Sequence, residues 1–225
     1  MKSLKTNAFT LVELLTVITI IAILMGLLFP AISIAKDQAR KTQARADVTQ
    51  IASSVKNYYT EYSKYPISPT LLSQGTGGDI LVGVNSGQSN VEVFDALRNY
   101  NSKTGASGNT YNPRAIVFFE GRNVPDATAP RGGFIPKTGT VGTPGAYMDP
   151  WGTEYGIAID ANYDNQISSV VPSGSFYTDF GATNPPRVGV AVFSYGKDMQ
   201  IGKGGDNYYK NPNSTTPSDD IISWQ

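Results

Sequence analysis

Glu13 is the residue whose placement first asks for a chemical reason. No charged residue follows it from Leu14 to Ala35. A carboxylate at the edge of so apolar a span is costly and by default marks a functional position. A second pattern is Asp160-Ala161-Asn162-Tyr163-Asp164-Asn165-Gln166-Ile167, in which oxygen-bearing side chains alternate. Asp160, Asn162 and Asp164 at that spacing suit calcium, a cation that takes about six to eight oxygen ligands. Asn165 stands where such a loop turns left-handed, and Val171 holds the place of the closing carboxylate. The same pattern also describes a hydrogen-bonded Asx turn. Against catalysis stands the composition: the chain has neither His nor Cys. That removes the commonest general base, the commonest metal ligand and the thiolate nucleophile. No nucleophile elbow, phosphate loop or zinc helix is present, so no catalytic residues are expected.

These residues must be held by elements that the sequence also outlines. The first eight residues are short and basic, with Lys2 and Lys5. Phe9 to Phe29 is then apolar over 21 residues, about 31 Å as a helix, close to the ~30 Å of a hydrocarbon core. A secretory signal has a shorter apolar run. Beyond it Val48, Ile51, Val55, Tyr58 and Tyr62 recur at 3-4-3-4 spacing, one apolar stripe on a helix. We read one helix from Phe9 to Tyr62, kinked or locally melted at Pro30 and stopped by Pro66.

Residues 36–64 carry six basic and three acidic residues, and residues 65–225 carry ten and fourteen. The acidic balance of the tail gives no nucleic-acid footprint. Its wealth of Gly, Pro, Ser, Thr, Asn and Tyr suits a loop-rich β domain. Val91 to Arg98 reads as a short helix with Val93, Phe94 and Leu97 inward. Gly75, Gly77, Gly78, Gly83 and Gly87 mark loops around it. Ala115 to Phe119, Tyr155 to Ile159 and Val188 to Tyr195 read as strands, and Arg122 to Gly145 as a long surface loop. Trp151 reads as a packing anchor. The fold class is α+β: a long amino-terminal helix whose outer half packs on a small antiparallel sheet. Tyr58, Tyr59, Tyr111, Tyr208 and Tyr209 could serve a binding surface, or pack on the sheet and at subunit contacts.

Ala8-Phe9-Thr10-Leu11-Val12-Glu13-Leu14-Leu15 resembles the processing site of type IV pilins and type II secretion pseudopilins. The resemblance implies cleavage between Ala8 and Phe9 by a prepilin peptidase and methylation of the new amino terminus. The family usually has Gly before the cut; Ala8 is small enough to serve. Pro30 falls where these proteins often carry a proline. The resemblance makes Glu13 the fifth residue of the mature chain, where it can neutralise the Phe9 amine of a neighbouring copy. Two charges entering a low-dielectric core are tolerable only as a pair. Phe9, Glu13 and Pro30 are thus the expected assembly residues. The flanking charges alone, Lys2 and Lys5 against Lys36, Arg40, Lys41 and Arg45, would favour a cytoplasmic tail. The family resemblance implies the opposite orientation.

Asp149-Pro150-Trp151-Gly152, with Tyr155-Gly156-Ile157, resembles the segment before the sheet in major, G-type pseudopilins. Phe193 to Asp198, Gly204-Gly205-Asp206 and Asp219-Asp220-Ile221 resemble their carboxy-terminal loop. There the resemblance implies one calcium ion held by Asp198, Asp219, Asp220 and the Tyr195 carbonyl, with Asp206 a possible substitute ligand. The implied organisation is a leader (1–8), a transmembrane and filament-core helix (9–35) and an extracytoplasmic domain (36–225). The implied role is a pseudopilus subunit in type II secretion, anchored by a single pass in the inner membrane with its tail in the periplasm. Its implied partners are copies of itself, other pseudopilins, the prepilin peptidase and the inner-membrane assembly platform. The alternative role is a type IV pilus subunit for adhesion, motility or DNA uptake.

Overall fold

A computed structural model describes residues 11–73, 78–84, 86–138, 141–168, 184–200 and 219–224. In chain order the elements are α1 (Leu11–Tyr62), α2 (Pro69–Leu72), β1 (Asp79–Val82), α3 (Val91–Arg98), β2 (Tyr100–Asn101) and β3 (Ala106–Ser107). Then follow β4 (Gly133–Phe134), β5 (Tyr147–Met148), β6 (Gly156–Asp160), β7 (Val190–Ser194) and β8 (Ile221–Ile222). The chain divides into two compact units, Met1–Arg40 and Lys41–Gln225.

In the first unit the described residues are helical throughout, and all of residues 11–36 are exposed. Leu11, Leu27, Phe29 and Ile34 are each more than 65% exposed, so the apolar surface lies uncovered in the isolated chain. The helix is long and apolar enough to cross a membrane. Two of its hydroxyls are satisfied within the helix. The Thr16 hydroxyl donates to the Glu13 carbonyl at 2.9 Å and the Thr19 hydroxyl to the Leu15 carbonyl at 2.7 Å, bonds that a helix can carry into an apolar solvent. Pro30 removes one helical donor, yet α1 continues through it. Of the two expected effects, local melting is not seen, and the helix is continuous as read.

The second unit is built on an antiparallel sheet of order β1-β6-β7-β8. Strand alternation sends Ile80, Val82, Ile157, Ile159, Val190 and Val192 into one core with Ala44, Val48, Ile51, Val55 and Tyr58 of α1. The apolar stripe therefore does what its spacing requires, and the expected packing of the outer helix on the sheet is found. Leu81, Ala158, Ala191 and Phe193 face the other way, into a cluster with Ile167 and Tyr195. Both faces of the central strands are covered, which is why β6 and β7 read as continuous apolar runs. Gly156 lies opposite Phe193, and a Cβ there would overlap the Phe193 ring.

A second packing centre joins α3 to β4 and β5. Phe94, Phe119, Phe134 and Tyr147 meet at ring-centroid distances of 4.5–5.9 Å. Asn90, wholly buried before α3, donates to the Tyr147 and Tyr155 carbonyls and accepts from the Tyr147 amide. Asp149 carries the Asp-Pro-Trp-Gly turn. Its carboxylate accepts from the amides of Trp151, Gly152 and Thr153 and from the hydroxyls of Thr153 and Ser194. Trp151 is 3% exposed and sits in the main core, as its reading as an anchor requires.

Two expectations are corrected and one strand was not foreseen. Ala115 to Phe119 forms no strand: Ala115 is left-handed at φ 56°, and the Phe118 and Phe119 amides donate to the Leu97 carbonyl at the end of α3. With its hydrogen bonds spent there, the segment has none left for a ladder. The glycine-rich region contains β1, whose Ile80-Leu81-Val82 run pairs with β6. The stretch from Arg122 to Gly145 holds β4, and Phe134 and Ile135 are buried, so it is not wholly a surface loop. The carboxy-terminal end of α1 is at Tyr62 as expected, followed by a left-handed Ser63 (φ 52°) whose amide donates to the Tyr59 carbonyl at 2.8 Å.

Candidate functional site

Two regions hold the expected site residues. The amino-terminal one is Glu13, in the first turn of α1. Acidic residues there complement the helix dipole. Ala8 and Phe9 lie outside the described residues. Pro30 lies on the exposed apolar stretch, and Gly26, one turn earlier, has no neighbour within 4 Å of where a Cβ would stand.

The other region lies at the ends of the sheet. Pairing of β7 with β8 sets Ser194 opposite Ile221 and so brings Asp219 and Asp220 to the turn that follows Tyr195. The Asp219 carboxylate accepts from the Lys197 amide and, at 3.1 Å, from the Asp198 amide. Asp198 is exposed and its Oδ1 accepts from the Gln200 amide at 2.8 Å. Asp220 is 2% exposed. Gly196, at φ 69°, approaches so closely that a Cβ would strike the Asp219 carbonyl. Asp206 lies outside the described residues. The donors assembled here are all oxygens, the class calcium takes. Among the described residues no three acidic side chains converge on one point.

At the far end of β6 the Asp160 carboxylate accepts from the Asp164 and Asn165 amides at 3.2 and 2.7 Å. Asn162 Oδ1 accepts from the Asp164 amide, and Asp164 Oδ1 from the Gln166 amide. These are the bonds of an Asx-type turn. Asn165 is left-handed at φ 60°, as its position in the pattern suggested, and so is Tyr163 at φ 62°. The structure adds Asp79, directly opposite Asp160 in the β1–β6 ladder and equally buried. Its Oδ2 accepts from the Ser168 amide at 2.8 Å. The signal that would have found it is the Ile80-Leu81-Val82 run that it begins.

Within the second unit a polar contact fastens α1 to the sheet. Asp47 Oδ2 accepts from the Tyr155 hydroxyl at 2.9 Å and from Gln43 at 3.5 Å. Burial raises the Asp47 carboxyl above the usual range; the Tyr155 and Gln43 hydrogen bonds and the charge of Arg122 act against it. Burial likewise pushes the Tyr155 phenol well up, with Asp47 adding to the effect. Of the candidate binding tyrosines, Tyr58 is wholly buried, Tyr111 half-buried and Tyr59 exposed. Tyr208 and Tyr209 lie outside the described residues.

Comparison with known proteins bears on the amino terminus. Residues 4–29 match the family model described as the prokaryotic N-terminal methylation motif, and the chain thus carries the motif of type IV pilins and pseudopilins. It is 35% identical over 60 residues to type II secretion system core protein G of Pseudomonas aeruginosa. The match covers 27% of this chain and 42% of that protein, so the chain spans under half the length of the curated relative it matches. No solved structure matches the chain.

Proposed function

We propose that this chain is a pseudopilin: a prepilin cut between Ala8 and Phe9, N-methylated, and assembled by helical packing of α1 into a filament serving type II protein secretion. The observation that carries the reading is the uncovered apolar stretch of α1 with one carboxylate at its start. That surface needs two successive covers, lipid before assembly and neighbouring helices after it. Cleavage would leave a Phe9 amine with an ordinary pKa of about 7.7 to 8.0. Glu13 of a neighbour is the group suited to neutralise it, and the pair fixes register. The second unit then stands outside the cytoplasmic membrane, on the periplasmic side. The peptidase, the assembly platform and sister pseudopilins are the partners this requires. Calcium belongs to the reading as a ligand of the carboxy-terminal turn, through Asp198, Asp219, Asp220 and the Tyr195 carbonyl. The Asp160 turn, with Asn162 and Asp164, is the weaker candidate, because Val171 holds the place of its closing carboxylate.

Deletion of the gene in its host tests the assignment. Folded cargo should accumulate in the periplasm and return to the medium on complementation. Intact secretion with loss of surface appendages, twitching or DNA uptake would make the chain a type IV pilus subunit instead.

A further inference from the structure

Beside the carboxy-terminal end of α3 lies a small cavity of about 180 Å³, lined in part by Arg98, Tyr100, Ser102, Asn123, Phe134 and Lys137. Its principal charge is Arg98, the last residue of α3. The guanidinium lies over the Phe134 ring, 3.7 Å from the centroid, and 4.9 Å from that of Tyr100. Stacking of this kind occupies the faces of the guanidinium and leaves its N–H edge for hydrogen bonding. Among the described residues Arg98 makes no hydrogen bond and no ion pair within 4.0 Å. Three other arginines are committed. Arg40 faces Asp37, Arg114 pairs with Glu61, and Arg122 donates to the Gly132 carbonyl at 2.6 Å.

The surroundings suit an anion. Lys137 brings a second cation and gives one of its donors to the Thr104 carbonyl at 2.7 Å, which anchors the ammonium and leaves it others. Asp95 is the nearby carboxylate, but it is turned to Ser102, accepting from the amide at 2.9 Å and from the hydroxyl. One carboxylate against two cations leaves the neighbourhood with a net positive charge. Gly145 forms part of the wall at φ 89°, and a Cβ there would collide with Ser102, so the wall cannot be thickened without breaking the Asp95–Ser102 contact. The volume lies below the roughly 300 Å³ at which drug-sized pockets begin. It accommodates a group of a few heavy atoms.

We propose that this cavity binds a small oxyanion, a carboxylate or a phosphate, bidentate on the N–H edge of Arg98 with Lys137 beside it. A planar fork that rests over the Phe134 ring matches paired oxygens. A carboxylate could arrive as a free ion or as the acid group of a uronate sugar, and a phosphate as the free ion.

The test is isothermal titration of the full chain in non-ionic detergent at constant ionic strength. Acetate, glucuronate and inorganic phosphate are the separate probes. At least one should bind saturably at a single site, and the order of affinities identifies the source. Arg98→Lys keeps the charge and removes the fork, and should weaken that binding about tenfold. Lys137→Gln, at an exposed position, should weaken it about threefold. Absence of saturable binding for all three probes would overturn the proposal. So would unchanged affinity in either variant.

Discussion

Glu13 stands in the first turn of a helix whose next charged residue is Lys36. Membrane insertion needs only the apolar stretch, whereas ordered packing needs the carboxylate matched by an amine. Glu13→Ala should therefore leave the subunit in the membrane fraction with its second unit folded, while sheared filaments fall to a small fraction of wild type. Normal yields in the shearing assay would remove the pairing of Glu13 with the Phe9 amine. A second residue-scale consequence concerns Asp47. Its pKa is raised in the folded protein, above an ordinary value near 3.9. The folded state thus holds its proton more tightly than the unfolded one. Its favourable contribution is complete below about pH 3.9 and is lost as pH rises through the folded pKa. Asp47→Asn should flatten that part of the pH–stability profile and melt no lower than wild type at neutral pH. A steeper profile in the variant would contradict it. At this scale the sequence is only partly readable. Glu13 is conspicuous because its neighbours are all apolar. Asp47 and Asn90 look like ordinary polar residues, because their partners come from distant segments: Tyr155 for Asp47 and Tyr147 for Asn90.

Among the elements, the outer half of α1 supplies the central wall of the second unit. Ile51 is wholly buried against the sheet. Truncating it to Ala removes that contact and leaves a cavity, costing about 2–5 kcal/mol. The measurement is urea unfolding of a soluble protein beginning at Lys36, which should itself fold as a monomer. A cost below about 1 kcal/mol would mean that α1 does not pack there as described. The same soluble protein tests calcium. A ligand that binds only the folded state stabilises it, so chelation should lower the melting temperature, and joint Asp219→Ala and Asp220→Ala substitution should remove the carboxy-terminal part of that shift. Identical melting curves in calcium and in chelator would remove calcium from both turns. Elements with a strong local signature were legible. The 3-4-3-4 stripe marked α1, the inward Val93, Phe94 and Leu97 marked α3, and the β-branched runs marked β6 and β7. Ala115 to Phe119 has strand composition too, but its amides bond to the end of α3, a choice made by tertiary structure. The short strand β1 was hidden by the glycines on either side of it, Gly78 and Gly83, which are left-handed turn residues at its two ends.

For the molecule as a whole, an exposed apolar helix and a compact α+β unit set two demands, a lipid cover first and a protein cover afterwards. On the proposed reading both are met if the apolar stretch of α1 holds the subunit in the membrane and cleavage then frees the Phe9 amine for Glu13 of a neighbour. The flanking charges, with Lys36, Arg40, Lys41 and Arg45 after the apolar stretch, run against the proposed periplasmic orientation, which therefore rests on the amino-terminal motif. The deciding measurement is intact-mass spectrometry of the chain recovered from sheared filaments, compared with the same chain from membranes of a host lacking the prepilin peptidase. Filaments should contain this protein beginning at Phe9 and bearing one methyl group, and the peptidase-deficient membranes should contain it beginning at Met1. Filaments built from a chain that still begins at Met1, or a processed chain that never enters filaments, would contradict the account.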